Sequence, residues 1–472
     1  MKPALLLLVL FFAGNSALPA ADEADPPNAS DAVSYYRAVR PILQRQCSGC
    51  HFPGKREGGL SVVAMQDLLA GGDSGKAVSA GHPEESLLLD YISGDDPEMP
   101  LNAEPLSSTE IQLIRDWITQ GAADDTPPSV AQPISQDHPP VYRSLPVVTS
   151  IDYSPDGQWL AVSGYHEAIL HRLDGTEPPI RLIGRSQRIE SLCFSGDGKL
   201  MAVAGGTPSL FGELQLWSVA ERKLLFSITA AHDTLFGASF NGDDSLVAVG
   251  AADNSVRVFS TESGEQVMQM DAHSDWVLGT TFSLKDDHLI SVSRDMSMKL
   301  TIVENGQFVD NITSITPGAL KGGLVDVQRH PAHEQVLSVG ADGQPRLYRI
   351  FREKDRKIGD DFNLVRAFPR LEGRLCDVDF CPDGSQFVCG ASTALSGSAQ
   401  ICRTDDEKST VPLKGLSSPV FAVSFRPDAQ AVATAGFDGM VRIHNATDGE
   451  VQREFPSVPS SALIASFESV TK

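Results

Sequence analysis

A chain of 472 residues with 41% hydrophobic and 21% charged residues has the material for two or more globular domains with sizeable cores. Its net charge of −23 argues against nucleic acid or an anionic membrane surface as a partner. What remains is an acidic, soluble surface, with room for a basic redox partner.

The opening MKPALLLLVLFFAGNSALPAAD reads as a signal peptide over residues 1–21. Lys2 is the charged start, Leu5 to Ala13 form a short apolar core, and small residues precede a cut near Ala20 or Ala21. The apolar run is short for a membrane span, and no later segment approaches one. The alternative is a retained anchor; the expectation is an exported protein, periplasmic or otherwise extracytoplasmic. Residues 22–30 are acidic and proline-containing and read as a flexible segment.

A compact helical unit is expected over residues 31–123. Ser30 is placed to cap a helix running toward Gln46, with Pro41 forcing a break or a new first turn. That helix delivers the chain to Cys47-Ser-Gly-Cys50-His51, the C-x-x-C-H pattern of covalent haem attachment. The two sulfurs can form thioethers with the haem vinyl groups, and the adjacent histidine then lies under the iron as an axial ligand. A zinc site needs a second ligand pair at short spacing, and none follows. A thioredoxin-like dithiol needs a βαβ surround, and none is visible.

The sixth position of such an iron has three candidates. Met99, on the proline-flanked loop Asp96-Pro97-Glu98-Met99-Pro100, offers a thioether that favours Fe(II) and suits electron transfer. His82, between Gly81 and Pro83, would give bis-histidine ligation and a lower potential; Met65 sits in the amphipathic run VVAMQDLL and reads as core. Arg45, Lys55 and Arg56 flank the motif as candidate partners of haem propionates or as a solvated basic patch. The unit closes with the clearest helix in the chain. Ser107 and Glu110 form a capping box, Gly121 supplies the stop, and Ile111, Ile114, Trp117 and Ile118 line one face. Trp117 reads as core, packing against the first helix and the haem edge.

The order of these features resembles the planctomycete-type cytochrome c domain. The sequence carries Pro-Ile-Leu, C-x-x-C-H, Gly58-Gly59-Leu60, Leu68-Leu69-x-Gly71-Gly72 and Gly81-x-Pro83-x-x-Ser86-Leu87-Leu88. Met99-Pro100 and Glu110-Ile111-x-x-Ile114-x-x-Trp117-Ile118-x-x-Gly121-Ala122 complete the series. The resemblance implies one haem c, held by Cys47, Cys50 and His51, with His51 and Met99 as axial ligands.

Residues 124–145 carry five prolines and have linker composition. From Pro146 the texture changes to short strands and turns. An apolar strand, a turn and a second apolar strand recur from Ser150, Ser191, Gly237, Gly279, Asp326, Asp377 and Ala422. This spacing resembles WD40 repeats over residues 146–456 and implies a seven-bladed β-propeller. The expected fold is therefore an N-terminal all-α cytochrome c-like domain followed by a C-terminal all-β seven-bladed WD40-like propeller. In WD40 blades a histidine and an aspartate brace one rim, which implies the pairs His232–Asp253 and His273–Asp295. Long turns are expected at residues 205–212 and 390–399, and a long charged connection at 352–374. Leu210 and Phe211 are the exposed candidates for partner contact, or a small flap beneath the loop. Either Val141–Val147 or Val451–Phe455 supplies the outer strand of the last blade, and the tail 457–472 has no assigned structure.

Cys193, Cys376, Cys381, Cys389 and Cys402 read as small buried hydrophobes, with room for one disulfide among the four between 376 and 402. His166, His171, His330 and His333 form no convergent set, and neither a nucleophile elbow nor a metal triad appears. The expected function is an exported electron carrier with a protein-docking propeller. The alternatives are a haem-dependent oxidoreductase and a redox or ligand sensor on a scaffold.

Overall fold

The computed structural model describes residues 32–51, 56–101, 104–127, 134–316, 318–357 and 359–463. The signal-peptide reading, Ser30 and Lys55 lie outside the described residues. The chain divides into two compact units, Met1–Pro127 and Pro128–Lys472.

The first unit is a small helical assembly. Helices α1 (Arg40–Gln46), α2 (Met65–Ala70), α3 (Leu87–Ile92) and α4 (Ser108–Thr119) are joined by irregular turns. A π-turn over Tyr35–Val39 leads into α1, and Ser34, not Ser30, caps it by accepting the Arg37 N–H. Pro41 sits in the first turn of α1, where its missing N–H costs nothing. The capping box of α4 forms as expected: Ser107 Oγ accepts the Glu110 N–H, and the Glu110 carboxylate accepts the Ser107 N–H at 2.8 Å. Gly121 ends the helix with φ +99°, a conformation open to glycine at no steric cost. Trp117 is 1% exposed, stacks on Tyr35 with centroids 5.3 Å apart, and donates its indole N–H to the Ala123 carbonyl. Leu43, Leu68, Leu89, Ile92 and Ile114 are buried with it. Each such side chain contributes about 1.5–3 kcal/mol relative to exposure.

The second unit is mostly β: six antiparallel sheets of four to seven strands, each with its strands in chain order. The seven-stranded sheet is two four-stranded meanders sharing one long strand, Ile180–Phe194. Ile180 to Ile183 pair with Leu170 to Glu167, and Arg188 to Phe194 pair with Gly206 to Met201. Gly184 lies where the strand changes partner; a Cβ there would come within 1.9 Å of Gln215 Nε2.

The sequence phrase that repeats builds the same turn in four of its seven copies. Ser154 Oγ donates to Asp156 Oδ1 at 2.6 Å, and that oxygen accepts the Gln158 N–H at 2.9 Å. Ser195 with Asp197, Asn241 with Asp243 and Cys381 with Asp383 reproduce it.

The first strands of the meanders follow one another in a cycle. Ile151–Tyr153 packs on the shared strand, then Leu235–Phe240, Val277–Phe282, Leu324–Arg329, Arg374–Phe380 and Val420–Phe425 follow, and the last returns to the first. Side chains sew this cycle. Asp152 accepts the Phe194 N–H at 2.7 Å, Asp377 the Val423 N–H at 2.7 Å and Asp379 the Phe425 N–H at 2.8 Å. The Ser424 hydroxyl accepts the Tyr153 N–H and joins the last meander to the first.

Two expectations for this unit need correction, and one open choice is decided. The turns at 205–212 and 390–399 are prolonged hairpins: Thr207 pairs with Phe211 and Ser392 with Gly397, so only their tips are loops. Gly205 is a strand residue paired with Ile189 and Glu213, and glycine is needed there because a Cβ would clash with the Arg188 carbonyl oxygen. The charged run at 352–374 contains a strand, Leu364–Ala367, the outer strand of its sheet. The outer strand of the last meander is Val451–Pro456, which resolves the open choice. The other candidate segment is held elsewhere. Tyr142 bridges in parallel to Leu463 and donates its hydroxyl to the buried Glu167, which also pairs with Arg181 at 2.6 Å.

Candidate functional site

Helix α1 ends at Cys47, whose N–H bonds back to Leu43. The end of α1 is fixed to the start of α4 by the ion pair between Arg45 and Glu110. Cys50 and His51 both donate their N–H to the Cys47 carbonyl, folding Cys47, Cys50 and His51 into one tight turn. Cys50 is exposed, Cys47 and His51 half-buried. Both cysteines are free thiols. Burial pushes the Cys47 thiol up to about 11, opposite to the lowered value that marks a dithiol nucleophile.

The imidazole of His51 is committed at one end. Its Nδ1 lies 3.0 Å from the Glu57 carbonyl oxygen, which can only accept, so the neutral ring carries its proton on Nδ1 and keeps a lone pair at Nε2. Such a hydrogen bond fixes ring orientation and raises ligand basicity. Val62 N–H returns to the His51 carbonyl at 2.9 Å and ties the far side of the loop to the motif.

Of the three sixth-ligand candidates, Met99 and Met65 pack against the helical core together with Cys47. Met99 is held to α3 by its N–H, which donates to the Tyr91 carbonyl at 2.9 Å. His82 points to water and faces Glu84 at 3.3 Å, with 61% of its side chain exposed. Of the flanking cations, Arg45 is taken by Glu110 and Arg56 by Asp67.

This set fits a haem c in donor chemistry. Two free thiols stand at the attachment spacing, one imidazole presents a bare Nε2, and a thioether rests on the same core.

The second unit separates the two histidines that the repeat pattern treats alike. His273 is buried, with Nδ1 2.9 Å from Asp295 Oδ2 and Nε2 2.8 Å from Ser291 Oγ, so this brace forms. Burial pushes the Asp295 carboxyl upward, but hydrogen bonds from His273, Ser297 and the Ser274 N–H outweigh it and hold the group well below the usual carboxylate range. The brace expected at His232 does not form: His232 is exposed, and Asp253 is held by Arg257 at 2.7 Å and by Ser255. The same arginine clamp joins Asp342 to Arg346 and Asp438 to Arg442. A D-x-x-x-R spacing across the turn was the sequence signal for it.

Leu210 and Phe211 are half-buried, not exposed, and Arg185 stacks over the Phe211 ring at 4.9 Å. Leu225, Val267, Phe308, Val309 and Val451 are exposed on outer strands and Val141 and Val147 before the first strand; the other exposed apolar side chains of the unit are Tyr165, Trp276, Met296, Ile315, Leu395 and Phe437. Each of these last six lies at a turn between second and third strands or on a loop entering a first strand. In an antiparallel meander those positions share one edge, so the six residues occupy one rim.

Sequence reasoning missed a cavity of about 700 Å³ lined by the first strands, with Asp152, Asp326, Asp377 and Asp379 on its wall. Burial pushes Asp152 up to about 8 and Asp379 up to about 7. All seven cysteines are free thiols, so none of the four between 376 and 402 is paired.

The planctomycete cytochrome C family model matches residues 47–100, and the WD domain, G-beta repeat model matches 140–171, 222–260 and 408–445. Two family models thus match separate parts of this chain. The cytochrome match spans the attachment motif, His82 and Met99; the WD matches cover the first three strands of the first, third and seventh meanders and the outer strands of the second and sixth. Among curated proteins, the chain is similar to Protein HIR1 of Gibberella zeae, at 26% identity over 72% of this chain and 32% of that protein. COMPASS component SWD3 of Saccharomyces cerevisiae is 23% identical over 38% of this chain and 56% of its own length. Telomerase protein component 1 of Rattus norvegicus is 28% identical over 33% of this chain and 6% of its own length. The chain thus spans about half or less of each of these relatives. The WD repeats form a β-propeller, preceded by a cytochrome-like segment.

Proposed function

We propose that this protein is an exported c-type cytochrome: one haem c bound covalently by Cys47 and Cys50, coupled to a seven-bladed propeller on which protein partners dock. The observation that carries the reading is the His51 turn. Two free thiols and an imidazole whose Nδ1 is already satisfied by Glu57 stand in the order and spacing that covalent haem requires. A haem c bound there supplies reversible one-electron exchange at its iron. His51 through Nε2 and Met99 through its thioether would hold the iron. The buried faces of α1 and α4, with Trp117 at their centre, keep water from that side of the site. Export is part of the proposal, because thioether attachment suits an extracytoplasmic compartment. Among the described residues no helix is long and apolar enough to cross a membrane.

For the propeller, the six exposed apolar residues on one rim support docking at that edge, where aromatic side chains concentrate contact energy. Its relatives include proteins named as components of larger assemblies, which fits a docking role. The test is spectroscopic. The oxidised protein is expected to show a near-infrared sulfur-to-iron charge-transfer band that disappears in Met99→Ala. A band that survives the substitution removes Met99 from the site. Carbon monoxide binding to the reduced, undenatured wild type replaces the electron-carrier reading with a gas-binding or catalytic one.

A further inference from the structure

The carbonyl that orients His51 belongs to a short 3-10 turn, Glu57–Gly59, and that turn is fastened from both sides by one carboxylate. Asp67, in the first turn of α2, accepts from the Ser61 hydroxyl at 3.2 Å and from Arg56 Nη2 at 3.4 Å, both on Oδ2. Arg56 immediately precedes the turn and Ser61 follows it by one residue beyond Leu60. Ser61 is 1% exposed whereas the Arg56 side chain is 46% exposed, so the hydroxyl is the stronger anchor and the ion pair the weaker.

A third contact presses the turn from outside. The Asp73 N–H donates to the Gly58 carbonyl at 2.7 Å, and a Cβ on Gly72 would lie 2.4 Å from that same oxygen. Gly58 and Gly59 hold φ of +59° and +72°, so the turn has one backbone shape and little freedom except as a rigid body. Asp67 fastens this rigid body at both ends, beside the Asp73 N–H and the Glu57 N–H, which donates to the Cys50 carbonyl at 3.3 Å.

We propose that Asp67 is a positioning residue for the axial imidazole: through Ser61 and Arg56 it holds the Glu57 carbonyl on His51 Nδ1. This rests on the haem reading above. A firm Nδ1–H···O bond gives the imidazole more electron density and lowers the reduction potential of an iron bound to Nε2. Loosening the turn therefore raises the potential.

The experiment compares holo wild type with Asp67→Ala and Ser61→Ala, the second losing one hydrogen bond and leaving the carboxylate in place. The midpoint potential is read by redox titration, and exchange of the His51 Nδ1 proton with solvent by NMR of the reduced protein. Both variants are expected to shift the potential upward and to speed the proton exchange, Asp67→Ala more than Ser61→Ala, with the methionine-to-iron band retained. Lowered thermal midpoints with unmoved potential and unmoved proton exchange make Asp67 structural only and overturn the proposal. Wild type without covalent haem overturns the functional reading itself, a separate outcome.

Discussion

Replacing His273 by alanine isolates the cost of one buried brace, and replacing His232 supplies the matched control. His273 is 7% exposed and is hydrogen-bonded to Ser291, to Ser297 and to the carboxylate of Asp295, whose side chain is 8% exposed. A hydrogen bond to a charged group contributes about 1.5–3 kcal/mol and a neutral one about 1 kcal/mol. Asp295 keeps Ser297 and the Ser274 N–H after the substitution, which offsets part of the loss. The expected cost is therefore about 3 kcal/mol. For a unit of this size about 2 °C per kcal/mol applies, so the melting midpoint of the β unit should fall by about 6 °C. His232 is exposed and its expected partner Asp253 is held by Arg257, so His232→Ala should stay within about 0.5 kcal/mol, or about 1 °C. The assay is differential scanning calorimetry of the two full-length variants beside wild type at one pH and scan rate. Equal shifts in the two variants refute the assignment of one brace and one arginine clamp.

Stability of the β unit should also depend on pH in a specific way. Asp152 and Asp379 have folded values of about 8 and about 7, so the folded state keeps protons that the unfolded chain loses above pH ~4. Their contribution is complete in acid and is lost as pH rises through 7 to 8. Burial lowers His171 and His444 to about 4, so their contribution is complete above pH ~6.5 and is lost as pH falls toward 4. Below pH ~6.5 the two pairs oppose each other, and above it only the aspartates act, so the melting midpoint should decline from pH 6.5 to 8.5. Asp379→Asn should flatten part of that decline; curves that run parallel to wild type speak against it. In the helical unit, Trp117→Ala should cost about 3–5 kcal/mol, enough to unfold a unit of this size, read as early proteolysis of the N-terminal region. Leu395→Asp should leave the calorimetric midpoint within about 1 °C, since that side chain is 89% exposed at a hairpin tip.

Local signals were legible and long-range choices were not. Ser107 and Glu110 sit three residues apart and satisfy each other, so their capping box needs no tertiary knowledge. The Ser154–Asp156 turn is local in the same way, and its recurrence gave the repeat. Asp253 was different: it had a histidine and an arginine within reach, and the fold chose the arginine four residues on. Gly205 and Gly206 read as a loop because glycine permits turns, but here glycine is required by the neighbouring backbone. Leu364–Ala367 hid in a charged run because an outer strand faces water and needs no apolar alternation. Glu167, with Arg181 and Tyr142, joins residues that nothing in the local sequence connects. In the candidate site the motif itself was plain, whereas the Glu57 carbonyl was invisible because a backbone acceptor leaves no residue signature.

The central claim is that Cys47 and Cys50 carry a haem. Intact-mass spectrometry of the denatured full-length protein, produced in a host competent for c-type cytochrome maturation, tests it most directly. The account predicts one haem retained through denaturation, and none in the Cys47→Ala/Cys50→Ala double variant. An unmodified wild-type mass, with both thiols open to alkylation, contradicts it.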